Sequence, residues 1–201
     1  MKRVKPQTVT GQQLVVDMRN RIHAVSEKYK EKISKQVGST HLAMALDEAI
    51  KAEDDLSMLR LLPARSISDS IWKPSVRDLF KESMHKVIDC DDQDQDTREC
   101  NHRREYKIAR QSSNGRYVSR NSTRNPSVQV DLFVADASSL EECGVFVLSS
   151  TSLQVFGTPA RKNKGWQLSL TSNQLLDTDS IGAYRMDLNE YAKYRMDICK
   201  C

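Results

Sequence analysis

Two aspartates with alternate spacing, Asp89 and Asp91, are the first residues whose type and position could do chemistry. If residues 86–91 end a strand, alternation places both carboxylates on one face of it. A third aspartate, Asp131, lies in the alternating run 128–135, on a strand forty residues later. Magnesium prefers oxygen ligands and commonly binds through a few carboxylates together with substrate phosphates. The spacing therefore predicts a magnesium site formed by these three aspartates.

Two other metal motifs are rejected on their spacing. The acidic run 92–96 has the alternate aspartates that open a calcium loop, but Thr97 stands at the glycine position and Arg103 at the bidentate glutamate position. The histidines and cysteines of residues 85–102 form neither a CxxC nor an HxxxH pair, so they fit no ordinary structural zinc site. We interpret both sets as polar loop residues.

A basic segment that contains two tyrosines predicts contact with nucleic acid. Residues 98–124 carry eight Lys or Arg against two Glu, and Arg outnumbers Lys seven to one. Basic side chains neutralise phosphates, guanidinium groups match phosphate geometry, and aromatic rings stack on bases. The candidate nucleic-acid-binding residues are Arg103, Arg104, Lys107, Arg110, Arg116, Tyr117 and Arg120. A solvated two-stranded ribbon with ordinary basic exposure explains the same pattern, and both interpretations stay open.

Helices are expected in the first part of the chain. Apolar residues recur at intervals of three and four over 12–37, and Gly38 is a good stop signal. A second apolar stripe follows and ends at Pro63, so the two helices are expected to pack as an antiparallel pair. A short helix is expected over 76–86 because its apolar residues fall on one side.

Strands are expected in the second part. Asn114 and Gly115 separate two strand-like runs, which is the strongest short hairpin signal in the chain. Further strands are expected over 128–135, 143–150 and 165–170. Helices first and a mixed or antiparallel β-sheet afterwards predict an α+β fold.

The stretch 128–177 resembles the palm of DNA polymerase beta-like (family X) nucleotidyltransferases. The matching pieces, in order, are VQVDLFVA, Gly144 opening the apolar strand CGVFVLSS, Thr151 in the next turn, the pair Arg161 and Lys162, and NKGWQLS. Upstream, WKPSVRD and VIDCD are the counterparts of the family's Gly-Ser and D-x-D, although Pro74 stands where the family has glycine. A rival placement, VGST with AEDDL, has the true Gly-Ser but falls inside the second predicted helix.

The resemblance implies a magnesium-dependent nucleotidyltransferase, with nucleic acid and a nucleoside triphosphate as partners. In it Asp89, Asp91 and Asp131 are the catalytic residues and bind two Mg²⁺ ions, which activate a 3′-hydroxyl and stabilise the leaving pyrophosphate. The nucleotide-binding residues are Ser75, Arg77 and Thr151. The implied organisation is a helical hairpin over 1–63, a palm-like α+β region over 64–177 and a C-terminal extension over 178–201.

The alternative hypothesis is non-enzymatic: a basic nucleic-acid-binding or structural protein, such as a viral one. It predicts salt-dependent binding with little sequence preference, weakened by charge reversal at Arg103 and Arg104.

Composition and termini indicate the compartment. Five irregularly spaced cysteines argue against a disulfide framework, which favours a reducing environment. No apolar run approaches 18 residues, and the N-terminal MKRVKPQTVTGQQ lacks an apolar core. We therefore expect an intracellular protein, cytoplasmic or nuclear, that is not secreted and has no membrane span.

Overall fold

The computed structural model describes residues 8–83, 87–89, 97–99, 102–121, 127–159 and 165–198. Its α-helices are α1 (Gly11–Ser34), α2 (Thr40–Lys51), α3 (Asp55–Leu61), α4 (Ala64–Ile67), α5 (Lys73–Ser83), α6 (Ser150–Phe156), α7 (Ser172–Leu176) and α8 (Leu188–Ile198). Its strands are β1 (Val87–Asp89), β2 (Thr97–Glu99), β3 (His102–Gln111), β4 (Tyr117–Asn121), β5 (Val128–Val134), β6 (Gly144–Leu148), β7 (Thr158–Pro159), β8 (Trp166–Leu170) and β9 (Arg185–Met186). A π-helical turn covers Ser68–Trp72 and a 3-10 turn covers Ile181–Tyr184.

The first predicted helix is confirmed as α1. A capping box opens it, because the Thr10 hydroxyl accepts from the Gln13 backbone N–H while the Gln13 side chain accepts from the Thr10 backbone N–H. The predicted apolar stripe is buried at Val15, Met18 and Ile22. Burial of this stripe fixes α1 against α2 and α8.

The second predicted helix is wrong in its length, because the chain breaks it into α2 and α3. Glu53 adopts the left-handed conformation with φ 52°. Asp54 then caps α3, its carboxylate accepting from the Ser57 backbone N–H at 3.0 Å. The apolar stripe continues across this break, so periodicity alone gave no signal of it.

The short predicted helix is the end of a longer helical stretch that starts at Ala64. Pro74 lies near the start of α5 and has no backbone N–H to donate to the carbonyl of Ser70. In a regular α-helix its ring would also clash with that carbonyl. The widened π turn Ser68–Trp72 precedes it, and the Lys73 N–H bonds to the Ser68 carbonyl. The stretch is thereby kept continuous and buries Trp72.

The strands form one curled mixed sheet in the order β7-β8-β4-β3-β5-β6-β9, with β2 also paired to β3 and β1 to β2. The pair β3–β5 is parallel, whereas β3–β4, β4–β8 and β5–β6 are antiparallel. The Asn-Gly hairpin is confirmed as β3–β4, with Gly115 at φ 76°. The predicted α+β fold, with its helices toward the N-terminus, is confirmed.

Both faces of the central strand β5 are buried. Val130, Leu132 and Val134 pack in an apolar cluster with residues of β6, β8 and α6. The opposite face, which carries Asp131 and Phe133, lies under the helices, and the core there runs from α1 to α8. The carboxylate of Asp131 is therefore enclosed by the fold and does not lie at a wet sheet edge.

Candidate functional site

Asp131 is bound by three side chains in the interior. Nη1 of Arg104, from the neighbouring strand β3, lies 2.8 Å from Oδ1 and 2.9 Å from Oδ2. The Tyr191 hydroxyl donates to Oδ2 at 2.7 Å, and Nη1 of Arg195 lies 3.2 Å from the same oxygen. Asp131, Arg104 and Arg195 have no exposed side-chain surface. We call these four residues the Asp131 cluster.

Helix α8 supplies two members of the Asp131 cluster. Its start is fixed by a reciprocal cap in which the backbone N–H of Asp187 donates to the Glu190 carboxylate and the backbone N–H of Glu190 donates to the Asp187 carboxylate. Tyr191 and Arg195 are four residues apart and so lie on one helix face, where the Arg195 guanidinium also donates to the Tyr191 hydroxyl at 2.6 Å.

Aromatic rings surround the charges of the Asp131 cluster. The Arg195 guanidinium lies 4.7 Å from the ring centroid of Phe80, and that of Arg104 lies 5.5 Å from the Tyr194 ring. The Trp72 indole N–H donates to the backbone carbonyl of Asp131 at 3.2 Å. Burial raises the pKa of Tyr191 well above its usual value. The hydroxyl therefore remains a proton donor at neutral pH.

The residues around Asp131 do not fit a Mg²⁺ site. Both carboxylate oxygens already accept from cationic or hydroxyl donors, and two guanidinium groups beside the carboxylate repel a metal cation. In the sheet register, Asp89 of β1 pairs with Thr97 of β2, and Thr97 pairs with Arg104 of β3. Arg104 in turn pairs with Gln129 of β5. Three strand spacings, about 14 Å, thus separate the Asp89 backbone from β5.

Asp91 lies outside the described residues. Within the described ranges, no group of three or more His, Cys, Asp or Glu comes together to hold a metal ion. The predicted magnesium site stays a prediction, and the described geometry does not support it.

The predicted nucleotide-binding residues do not converge on one site. Ser75 is fully buried in α5. Arg77, two residues further on, is partly exposed and bonds to the neighbouring Asp78 at 3.0 Å. Thr151 is exposed, but in the first turn of α6, where the resemblance implied a turn between strands. The Ser149 hydroxyl caps that helix by accepting from the Ser152 backbone N–H.

Those predicted nucleic-acid-binding residues whose side chains the structure describes divide into a buried set and an accessible set. Arg104 belongs to the Asp131 cluster, and Tyr117 is only 7% exposed. Arg116 is partly buried and donates to the Ser169 hydroxyl and backbone carbonyl in β8. Arg103 is partly exposed, and Arg120 lies in β4 opposite Gln167. Charge reversal at Arg104 would thus disrupt the core before it tested any surface contact.

Lys107 and Arg110 open onto a groove where β3 and β4 separate. The two strands pair at Arg110–Val118 and Gln111–Tyr117, next to the turn, and the paired register ends there. The helical segment α4–α5 forms the other wall. The groove has a volume of about 390 Å³ and is lined by Ala64, Arg65, Ser68, Asp69, Lys73, Lys107, Ile108, Arg110, Val118 and Ser119. We call it the fork groove.

The fork groove is lined by four basic side chains and one carboxylate. Arg65 is 93% exposed and shares the half-exposed Asp69 with Lys73, at 3.3 and 3.5 Å. Lys107 pairs with buried Glu105 at 2.6 Å, and Arg110 donates to the Arg60 carbonyl at 2.6 Å. A concave surface dominated by one sign of charge concentrates counter-ions of the other sign.

Sequence reasoning missed Arg65, Lys73, Tyr191 and Arg195. Arg65 and Lys73 lie in a stretch that reads as a polar connection, and nothing in it signals that it faces β3. A signal for α8 was present, since Leu188, Tyr191, Ala192 and Arg195 have helical spacing after an Asp-x-x-Glu cap.

No protein-family model, no curated protein and no solved structure matches this chain. Among the helices in the described ranges, none combines the length and the apolar character needed to cross a bilayer. The residues themselves are therefore the basis for any functional statement.

Proposed function

We propose that the protein binds nucleic acid without sequence preference through the phosphates, and that the fork groove is the centre of the interface. The observation that supports this most is the convergence of four basic side chains, from two separate parts of the chain, on one open groove whose described lining residues include a single carboxylate. Lysine and arginine that neutralise phosphates release condensed counter-ions, which makes binding salt-dependent and largely independent of sequence.

The ion pairs of Asp69 do not prevent Arg65 and Lys73 from contacting phosphate. Asp69 is half-exposed and serves two cations at more than 3 Å, and such surface pairs contribute little to stability. A phosphate oxygen can replace this carboxylate as the acceptor for Arg65 and Lys73.

The test is a titration of the protein against a labelled single strand of about 12 nucleotides. Fluorescence anisotropy is measured between about 50 and 200 mM KCl, where the logarithm of the association constant should fall linearly with the logarithm of the salt concentration. The double variant Arg65→Gln, Lys73→Gln should weaken binding and lower the slope by about 0.7 for each lost phosphate contact.

The matched control is Lys51→Gln, an exposed lysine at the end of α2 that also shares a carboxylate, Asp47. Lys51→Gln should leave the dependence of the association constant on salt concentration unchanged. Affinity that depends on neither salt nor the Arg65 and Lys73 changes would disprove the proposed interface.

The nucleotidyltransferase hypothesis stays a second prediction and rests on the sequence resemblance. It requires joint stabilisation by Mg²⁺ and ATP, because a ligand that binds only the folded state raises the melting temperature. The response should be lost in Ser75→Ala if that hydroxyl contacts the triphosphate. A melting temperature insensitive to both ligands would exclude the enzyme.

A further inference from the structure

We infer that the fork groove takes one phosphate of a single-stranded chain, with the Ser119 hydroxyl as a hydrogen-bond donor beside Lys107 and Arg110. This inference rests on the proposed function and deepens it: it names the form of nucleic acid, and it assigns a neutral residue to the phosphate contact.

Ser119 is a buried polar residue in strand β4. It is 3% exposed and lines the fork groove, and its hydroxyl has no hydrogen-bond partner among the described residues. Buried polar groups are nearly always paired, so an unpaired hydroxyl on a groove wall is a candidate ligand contact. Serine can donate to a phosphate oxygen, which is a common contact with nucleic-acid backbones.

The backbone holds Ser119 in place. Strand β4 is paired with β8 over five positions, among which Ser119 is opposite Leu168. On the other side of β4 the pairing with β3 ends at Val118. Ser119 therefore lies just past the point where the strands separate, and it lines the groove together with Lys107.

The charges around Ser119 suit a phosphate group. Lys107 and Arg110 come from β3 on the strand side, while Arg65 and Lys73 come from the helical side. A phosphate between these walls would accept from cationic donors and from a hydroxyl. Charge-assisted hydrogen bonds of this kind are shorter and stronger than neutral ones.

The dimensions of the groove favour a single strand over a duplex. A volume of about 390 Å³ is at the small end of ligand-binding pockets and suits a short piece of chain. A DNA duplex has a persistence length of about 150 base pairs. Neither of its strands can therefore bend into such a groove on its own. A single strand can bend so that one nucleotide unit enters while its neighbours stay outside.

The variant that tests the contact is Ser119→Ala, and Ser26→Ala is its matched control. Ser26 is likewise buried with an unpaired hydroxyl, but it lies in α1 and does not line the groove. Ser119→Ala should weaken binding of a single strand of about 12 nucleotides by at least about tenfold, the value of one hydrogen bond to a charged phosphate. Ser26→Ala should bind as the native protein does.

Competitors at constant ionic strength identify the source of the phosphate. A duplex of equal length, a 5′-mononucleotide and inorganic phosphate are each added to the complex with the labelled strand. An unlabelled single strand should displace the labelled strand at a far lower phosphate concentration than any of these three competitors. Equal displacement by the mononucleotide or by inorganic phosphate would overturn the single-strand assignment.

The outcomes separate this inference from the proposed function. Salt-dependent binding that is weakened by the Arg65 and Lys73 changes, but equal in Ser119→Ala and native protein, overturns the Ser119 contact and leaves the proposed function standing. Equal affinity for duplex and single strand overturns the choice of ligand alone. Absence of binding to either nucleic acid overturns both.

Discussion

Nη1 of Arg104 lies within 2.9 Å of both carboxylate oxygens of Asp131, across two parallel strands and with no exposed surface on either side chain. This contact explains why Asp131, a charged residue, lies on the same face of β5 as Phe133. The carboxylate balances guanidinium groups that helix α8 and strand β3 bring under the helices. Its evident role is to join the sheet to the C-terminal helix.

Asp131→Asn should lower the free energy of unfolding by about 3–5 kcal/mol, because it leaves two guanidinium groups buried without their carboxylate. Urea unfolding measures the change. Asp78→Asn is the control, since the Asp78 carboxylate is 44% exposed and its pairs with Arg21 and Arg77 lie at the surface. A stable Asp131→Asn protein would show that the fold does not need this charge.

Tyr191→Phe should destabilise the protein by about 1–3 kcal/mol, because the hydroxyl bonds to both Asp131 and Arg195 in a buried position. Thermal unfolding at neutral pH measures the loss. Tyr184→Phe removes the hydroxyl of a half-exposed tyrosine that packs on Phe156 and should change little. Equal effects of the two substitutions would contradict the role assigned to the Tyr191 hydroxyl.

The protein should lose stability above pH 9 through Cys143. Burial, and then the negative charge of Asp136, raises the pKa of this thiol from 9.0 to about 12. The neutral thiol is thus favoured in the folded state, and its contribution is complete below pH 9 and is lost as pH rises toward 12. The slope approaches at most about 1.4 kcal/mol per pH unit.

Urea unfolding of the native protein and of Cys143→Ala, between about pH 8 and pH 11, isolates this thiol from other groups. The difference in unfolding free energy between the two proteins should shrink as the pH rises. A difference that stays constant over this range would show that the thiol ionises equally in the folded and unfolded states.

Gly11→Ala should separate the start of α1 from α8. A Cβ at this position would lie 2.7 Å from Cγ of Asn189 and would also meet the Asn189 backbone, which cannot rotate away. We expect a lower melting temperature and a weakened Asp131 cluster, because α8 carries Tyr191 and Arg195. Circular dichroism during heating measures the loss.

Gly38→Asn is the control for Gly11→Ala. Gly38 lies in the turn between α1 and α2, where it faces open space and has φ 86°, a conformation that asparagine tolerates. It should melt close to the native temperature. If both glycine variants melted alike, the close approach of α1 to α8 would not contribute to stability.

The sequence by itself determined the local structure. The period of the apolar residues predicted α1, the Asn-Gly pair predicted the β3–β4 hairpin, and alternation predicted β5, β6 and β8. Each of these signals depends on residues close together in the chain, where spacing and turn conformation decide the outcome. The α+β order followed from them.

Only the tertiary structure decided the surroundings of each side chain. Asp131 has the same place in the alternation whether its partner is a metal ion or Arg195, which lies 64 residues later in the chain. Arg104 and Arg110 are equally basic in the sequence, yet one is enclosed under α8 and the other lines a groove. Burial depends on contacts between distant segments, and these contacts decide which charges the core neutralises and which remain available to a partner.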